Sequence, residues 1–174
     1  MVKWPTIIFM LVIHLLAGVA LLPQFWSWGS VATLFILYWV TACLGVTLGY
    51  HRLLSHRSFK VPQWLARFFA TCGALSAEYG PVTWVGLHRQ HHKHTDTEKD
   101  PHSPKHIGWF RVYFLDWKPQ SIHPRMIADF VRSKFQKWMH KNWFYLQILL
   151  ISVVALIDLR ALCFVLSPFV IYTF

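Results

Sequence analysis

Val31-Ala-Thr-Leu-Phe-Ile-Leu-Tyr-Trp-Val-Thr-Ala-Cys-Leu-Gly-Val-Thr-Leu-Gly-Tyr50 carries no charge along its 20 residues and leads straight into His51-Arg52-Leu53-Leu54-Ser55-His56. A helix needs about 20 apolar residues to cross a bilayer. A second cluster, His88-Arg89-Gln90-His91-His92, closes another apolar stretch. Imidazole is the commonest protein metal ligand and suits iron, zinc, copper and nickel. Five imidazoles at two places flanking apolar segments point to a metal centre held at a bilayer surface. Surface histidines near lipid headgroups would explain one such cluster, but not two on the same side.

Composition agrees with a membrane setting. The chain is 174 residues long, 55% hydrophobic and only 14% charged, against roughly 25% charged for soluble domains. These figures predict an all-α integral membrane protein of a single domain, residues 1–174. The net charge is +10. Its basic residues lie between apolar runs and no nucleic-acid fold signature accompanies them, so nucleic acid is not the expected partner. Cys43, Cys72 and Cys163 form no CxxC pair and read as small buried residues.

Four apolar runs are expected to enter the membrane: 6–22, 31–50, 143–159 and, in part, 161–174. Trp26 and Trp28 in the uncharged loop after the first run read as interfacial anchors. The segment 51–142 holds 15 of the 17 Lys and Arg, which places it, and both clusters, on the cytoplasmic side. Trp64–Leu87 is apolar but contains Arg67, Glu78 and Gly80-Pro81. Crossing there would separate the clusters, so it reads as an interfacial or re-entrant helix. Pro101, Pro104, Pro119 and Pro124 break the following polar segment, and Pro124–Lys141 reads as a helix that lies on the membrane or covers the site. His14, alone inside the first run, reads as an interhelical hydrogen-bonder.

On a helix, His88, His91 and His92 fall within an arc of roughly 100° and can face one point. His51 and His56 lie about 140° apart on an ideal α-helix. They meet only if the helix frays or bends near Leu53-Leu54-Ser55; otherwise each serves a different metal. Neutral nitrogen donors without cysteine favour a redox or hydrolytic metal over structural zinc. Asp96, Glu98 and Asp100 lie nearby. Asp100-Pro101-His102 either orients imidazoles through their other ring nitrogen or is a solvated turn. His94, His106, His123 and His140 read as surface residues.

Together these motifs resemble the membrane-bound fatty acid desaturases, over nearly the whole chain. Gly49-Tyr50-His51-Arg52-Leu53-Leu54-Ser55-His56-Arg57-Ser58-Phe59 is similar to the first histidine box of the Δ9 acyl desaturases. Trp84-Val85-Gly86-Leu87-His88-Arg89-Gln90-His91-His92-Lys93-His94 is similar to the second. Asp96–His102 and His106-Ile107-Gly108-Trp109 resemble the segments that follow. The resemblance implies an oxygen-dependent di-iron enzyme that inserts a cis double bond, in the Δ9 manner, into a saturated fatty acyl chain. His51, His56, His88, His91 and His92 then become iron ligands, and Trp84 a wall of the acyl tunnel at its bend. The implied partners are the acyl substrate, as acyl-CoA or acyl-lipid, O2, membrane lipid, and an acidic electron donor such as ferredoxin or cytochrome b5.

Departures from the family pattern carry expectations too. Gly86-Leu87 stand where animal acyl-CoA desaturases hold CoA with Arg-Asp, which is closer to the bacterial and plastid branch. Glu78 stands where that branch often has glutamine, and Thr83 where it often has glutamate. The family's third box does not occur before Phe174. The chain therefore reads as the N-terminal part of a truncated member, with an incomplete set of ligands for two irons. The rival expectations are a catalytically incomplete remnant, a related di-iron hydroxylase, and a bis-histidine haem protein, for which only His14 lies inside a span.

Overall fold

The computed structural model describes residues 4–114, 122–165 and 167–173, and among them every regular element is helical. Pro119 lies outside the described residues. Helix α1, Trp4–Val19, has 16 residues, or about 24 Å at 1.5 Å per residue. That falls short of a hydrocarbon core of about 30 Å; the helix ends at Val19, before the expected run 6–22 does. After a 3₁₀ turn at Pro23–Phe25, the Ser27 side chain caps α2, accepting from the Ser30 N–H at 3.0 Å. Helix α2, Trp28–Tyr38, passes without a break into a wider π-type helix, Trp39–Ser55. The combined 28-residue rod and the 24-residue α8, Lys134–Ile157, are long and apolar enough to cross a membrane.

The wide helix packs tightly on α3, Gln63–Ala74. Gly45 and Gly49 make this approach possible. A Cβ on Gly45 would stand 2.5 Å from backbone atoms of Cys72 and Gly73, and one on Gly49 2.8 Å from the Phe69 carbonyl oxygen. On the other side, Tyr50 is fully buried and its ring covers Gly73. Small residues four apart let two backbones touch, a device common between membrane helices. It fixes the end of the rod on which the first histidine cluster sits.

The stretch Trp64–Leu87, expected as one interfacial or re-entrant helix, is two helices. It is α3 followed by α4, Pro81–His94. The break lies at Leu75–Gly80, where the Ser76 hydroxyl donates to the Gly73 carbonyl at 2.7 Å and Ala77 adopts φ +63°. Pro81 starts α4 at a position where its missing N–H costs nothing. Helices α5 (Pro104–Ile107) and α6 (Trp109–Tyr113) are short.

Pro124–Lys141 is also divided. Helix α7 covers only Pro124–Ile127 and a turn follows, because Asp129 is drawn into ion pairs and Ser133 caps α8 by accepting from the Gln136 N–H at 3.3 Å. Consequently α8 begins at Lys134, well before the apolar run 143–159, and ends at Ile157; the carboxylate of Asp158, just beyond, accepts from the Ser27 hydroxyl at 3.1 Å. The run 161–174 forms two short helices, α9 (Leu162–Val165) and α10 (Ser167–Thr173), which pack on α1 and α2; positions 166 and 174 lie outside the described residues. Large apolar side chains on the long helices face outward, Leu156 at 88% exposure and Leu149 at 59%. The three cysteines are free thiols. His14 does bond across elements, its Nε2 meeting the Tyr113 hydroxyl of α6.

Candidate metal centre

The end of the wide helix and the last turns of α4 bring four histidines together. His51, His56, His88 and His92 each offer a ring nitrogen, all within 4.8 Å of one another. Ring centroids are 4.6 Å apart for His51–His56, 4.7 Å for His51–His88, 4.6 Å for His56–His92 and 4.5 Å for His88–His92. His51 and His56 meet without any fraying. The backbone there bonds i→i+5, as in His56 N–H to His51 C=O at 3.0 Å, so residues five apart stack as residues four apart do in an α-helix. The Ser55 hydroxyl reinforces this, donating to the Tyr50 carbonyl at 2.7 Å.

The second cluster divides. His88 and His92 turn toward the first cluster, whereas His91 turns toward Asp100 and His102, forming a second group of three donors. An arc of 100° is wide enough for one helix to serve two neighbouring points, and His91 and His92 are adjacent residues about 100° apart. Asp100 is 3% exposed. Both its oxygens lie 2.9 Å from His91 Nδ1, and they also accept from the Asp96 and His102 backbone N–H groups at 3.0 and 3.1 Å. Burial pushes this carboxyl upward, but the hydrogen bonds from His91, His102 and Asp96 outweigh it and hold the group below the usual carboxylate range. The sequence is therefore not a solvated turn. The His102 ring stacks on His91 at 4.5 Å.

Electrostatics suit metal binding. Burial, then the adjacent His51, His92, His56 and His91, push His88 down to about 3. Burial and the same kind of crowding lower His92. Both rings are thus neutral near pH 7, the form that ligates. His88 Nε2 and His56 Nε2 face each other at 3.3 Å. Two neutral imidazoles presenting lone pairs at that distance repel unless a proton or a cation lies between them. The donor set therefore fits a transition metal of the kind imidazole prefers.

Arg89, between the ligating positions, points away from the histidines and does something sequence reading did not foresee. Its guanidinium donates to the Leu54 carbonyl at 2.6 Å, the Ser55 carbonyl at 3.3 Å, the Met126 carbonyl at 2.7 Å, and both Asp129 oxygens at 2.8 and 3.1 Å. It also lies over the Phe130 ring at 5.3 Å. Asp129 in turn accepts from Arg57 at 2.7 Å. Burial raises Asp129, but the bonds from Arg89 and Arg57 pull it below the usual carboxylate range. The planar fork of arginine suits this multiple acceptance. It takes the orphan carbonyls at the end of the first-box helix and ties them to α4. Arg89→Gln should therefore weaken cobalt(II) binding at the four-histidine group about tenfold to a hundredfold, the usual range for losing a group that orients ligands, as read by titration of the visible cobalt spectrum.

His140 is not a surface residue either. Its Nδ1 is shielded, and its backbone lies 2.8 Å from where a Gly80 Cβ would stand. His106 reaches the Asp96 carbonyl, and His123 caps α7. Beside the centre is a largely apolar cavity of about 580 Å³ between α1, α4 and α8, bounded by Phe9, Trp84, Leu87, His88 and Phe144. Trp84 stacks on His88, with centroids 4.8 Å apart and planes at 21°, and its Nε1–H donates to the Glu78 carboxylate. Burial raises Glu78, against the opposing effect of that hydrogen bond, to about 7.

Comparison with known proteins adds an independent line. The family model described as fatty acid desaturase matches residues 26–174. The chain is 42% identical, over 84% of its length and 47% of the relative's, to an sn-1 stearoyl-lipid 9-desaturase of Synechocystis sp.. It is 40% identical to an sn-2 palmitoyl-lipid 9-desaturase of Nostoc sp., over 84% of the chain and 53% of the relative. It is 39% identical to Delta-9 acyl-lipid desaturase 2 of Arabidopsis thaliana, over 76% and 41%. The chain spans about half the length of the relatives it matches.

Proposed function

The chain belongs to the fatty acid desaturase family, and from that premise we propose that it serves the O2-dependent introduction of a cis double bond, at the Δ9 position, into a saturated acyl chain carried on a lipid. The observation that carries this reading is the convergence of four imidazoles on one point beside an apolar cavity of about 580 Å³. His51, His56, His88 and His92 would hold one iron. His91, its Nδ1 bonded to Asp100, would hold a second metal through its other nitrogen. Bound iron supplies the strong oxidant needed to take hydrogen from an unactivated methylene.

The chain's own groups do the rest. The cavity holds an extended apolar tail and keeps water from the reacting carbons, with Trp84 and Leu87 as walls against His88. Asp100 accepts the His91 Nδ1–H, which fixes that ring's tautomer and aims Nε2. Asp100→Asn should lower affinity for a second equivalent of cobalt(II) about tenfold to a hundredfold while sparing the first, as read by stoichiometric titration.

A lipid carrier is favoured over CoA by Gly86. A Cβ there would stand 2.7 Å from the Ile122 side chain and 2.8 Å from that of Ile127, so an arginine would have to push both aside. The Synechocystis and Nostoc relatives and one of Arabidopsis also carry lipid names, while two other plant relatives are named for acyl-CoA. The rod 28–55 and α8 cross the membrane, with the histidine groups and the basic segment 51–142 on the cytoplasmic face. There an acidic ferredoxin or cytochrome b5 docks by charge steering.

The test is reconstitution of the iron-loaded chain in stearoyl-lipid vesicles with a ferredoxin reducing system. A cis Δ9 alkene supports the proposal. A hydroxylated acyl chain points to the hydroxylase reading, and loss of metal binding with no product points to an incomplete remnant.

A further inference from the structure

We propose that Trp84 is a one-electron outlet for the four-histidine group, passing its indole Nε1 proton to the Glu78 carboxylate as it gives up an electron. The inference rests on the metal-binding reading of that group. Three contacts carry it. The Trp84 ring lies nearly parallel to the His88 imidazole at 4.8 Å between centroids, a short through-space path from a ligand to an oxidisable ring. The Nε1–H already points at Glu78 Oε2, so the proton has a place to go. Tyr50, the next aromatic, lies 5.4 Å from Trp84, but its hydroxyl is buried with no hydrogen-bond partner among the described residues. Without an acceptor Tyr50 cannot shed its proton, and the electron vacancy stays on Trp84.

A carboxylate at position 78 is essential to this step. Glutamine in the same place would accept the indole hydrogen bond but could not take the proton. Glu78 faces the cavity, and burial brings its ionisation near neutrality, where carboxylate and acid forms are both accessible. The step balances. One electron passes from Trp84 to an oxidised metal ion held by the histidines, and one proton passes from Nε1 to the carboxylate. A neutral indolyl radical and a neutral carboxylic acid remain. An electron carrier of the small redox-protein class returns the electron, and Glu78 returns the proton. Oxidant formed while the cavity is empty is thereby discharged through Trp84 rather than through the ligating imidazoles.

The test uses the full chain in lipid nanodiscs, with two arms. In the first, the iron(II)-loaded chain is mixed with hydrogen peroxide without acyl substrate and frozen for electron paramagnetic resonance. The wild type should give a neutral tryptophan radical that Trp84→Phe abolishes and Glu78→Gln reduces at least tenfold. Both replacements preserve shape, and cobalt(II) titration confirms that the histidine group persists in each. In the second arm, the metal-free chain is oxidised by a ruthenium photosensitiser, and the component missing from Trp84→Phe should again depend on Glu78. A radical unchanged in Trp84→Phe, or equal yields in Glu78→Gln, overturns the outlet and leaves the metal reading standing. A Trp84 radical in the photochemical arm with none in the iron arm, and no iron bound, overturns the metal reading and the outlet with it.

Discussion

Replacing His88 with alanine should lower cobalt(II) or iron(II) affinity at the four-histidine group by at least about a hundredfold, beyond the range for groups that merely orient ligands. His88 is the hub of the cluster. Its ring lies 4.7 Å from His51, 5.3 Å from His56 and 4.5 Å from His92. Its strongly lowered pKa keeps it neutral and available throughout the physiological range. Removal also frees Trp84 from its stacking partner, so the cavity wall loosens with the site. His94→Ala, on the same helix but outside both groups, should leave affinity unchanged and serves as the control. Equal losses in His88→Ala and His94→Ala would refute the assignment of ligands.

Gly45→Val should produce the largest loss of stability of any single replacement in the rod. Its Cβ would meet backbone carbon, nitrogen and oxygen of Cys72 and Gly73 at 2.5–2.6 Å. No rotamer relieves a clash with backbone, so the two helices must separate. Overpacking a tight core typically costs 1–3 kcal/mol; here the upper end, roughly 3 kcal/mol or more, is expected because Tyr50 loses its seat on Gly73 as well. Gly18→Ala in α1 is the counter-case. Nothing lies within 4 Å of the added methyl, and alanine is favoured over glycine inside a helix by up to about 1 kcal/mol. Thermal unfolding followed by circular dichroism should thus move down sharply for Gly45→Val and stay level or rise for Gly18→Ala.

The helical class and the histidine clusters were legible because both are patterns of near neighbours. Uncharged runs of 17–20 residues and the spacings HxxxxH and HxxHH stand in the one-dimensional string. What did not follow was the way distant segments share the backbone. The α-helical angle of 140° separated His51 from His56, and nothing in Leu53-Leu54-Ser55 announces that this turn bonds i→i+5. The split of His91 from His88 and His92 depends on Asp100, nine residues on, being buried; a buried carboxylate in a run as polar as Asp96–Asp100 has no local sign. Arg89 drew attention only as a residue between ligands. Its partners at Leu54, Met126 and Asp129 are 35, 37 and 40 positions away. The division of Pro124–Lys141 has the same origin, because Asp129 answers to Arg57 and Arg89 rather than to helical periodicity. His140 was misplaced because Gly80, which admits it, carries no side chain to suggest a contact.

The wide helical turn that carries the first histidine pair has a consequence for how the protein loads. An i→i+5 ladder is a less favourable arrangement than an α-helical one, and such turns are rare outside functional sites. Its last turn, ending at His56, leans on Arg89 and on the Ser55 hydroxyl. A metal ion bridging His51 and His56 would act as a staple across that turn. Amide protons from His51 to Ser58 should therefore exchange with deuterium readily in the metal-free protein and slow together, as one cooperative unit, once the ion arrives. Maturation would then be a local folding event at the end of the rod, not the filling of a rigid cup.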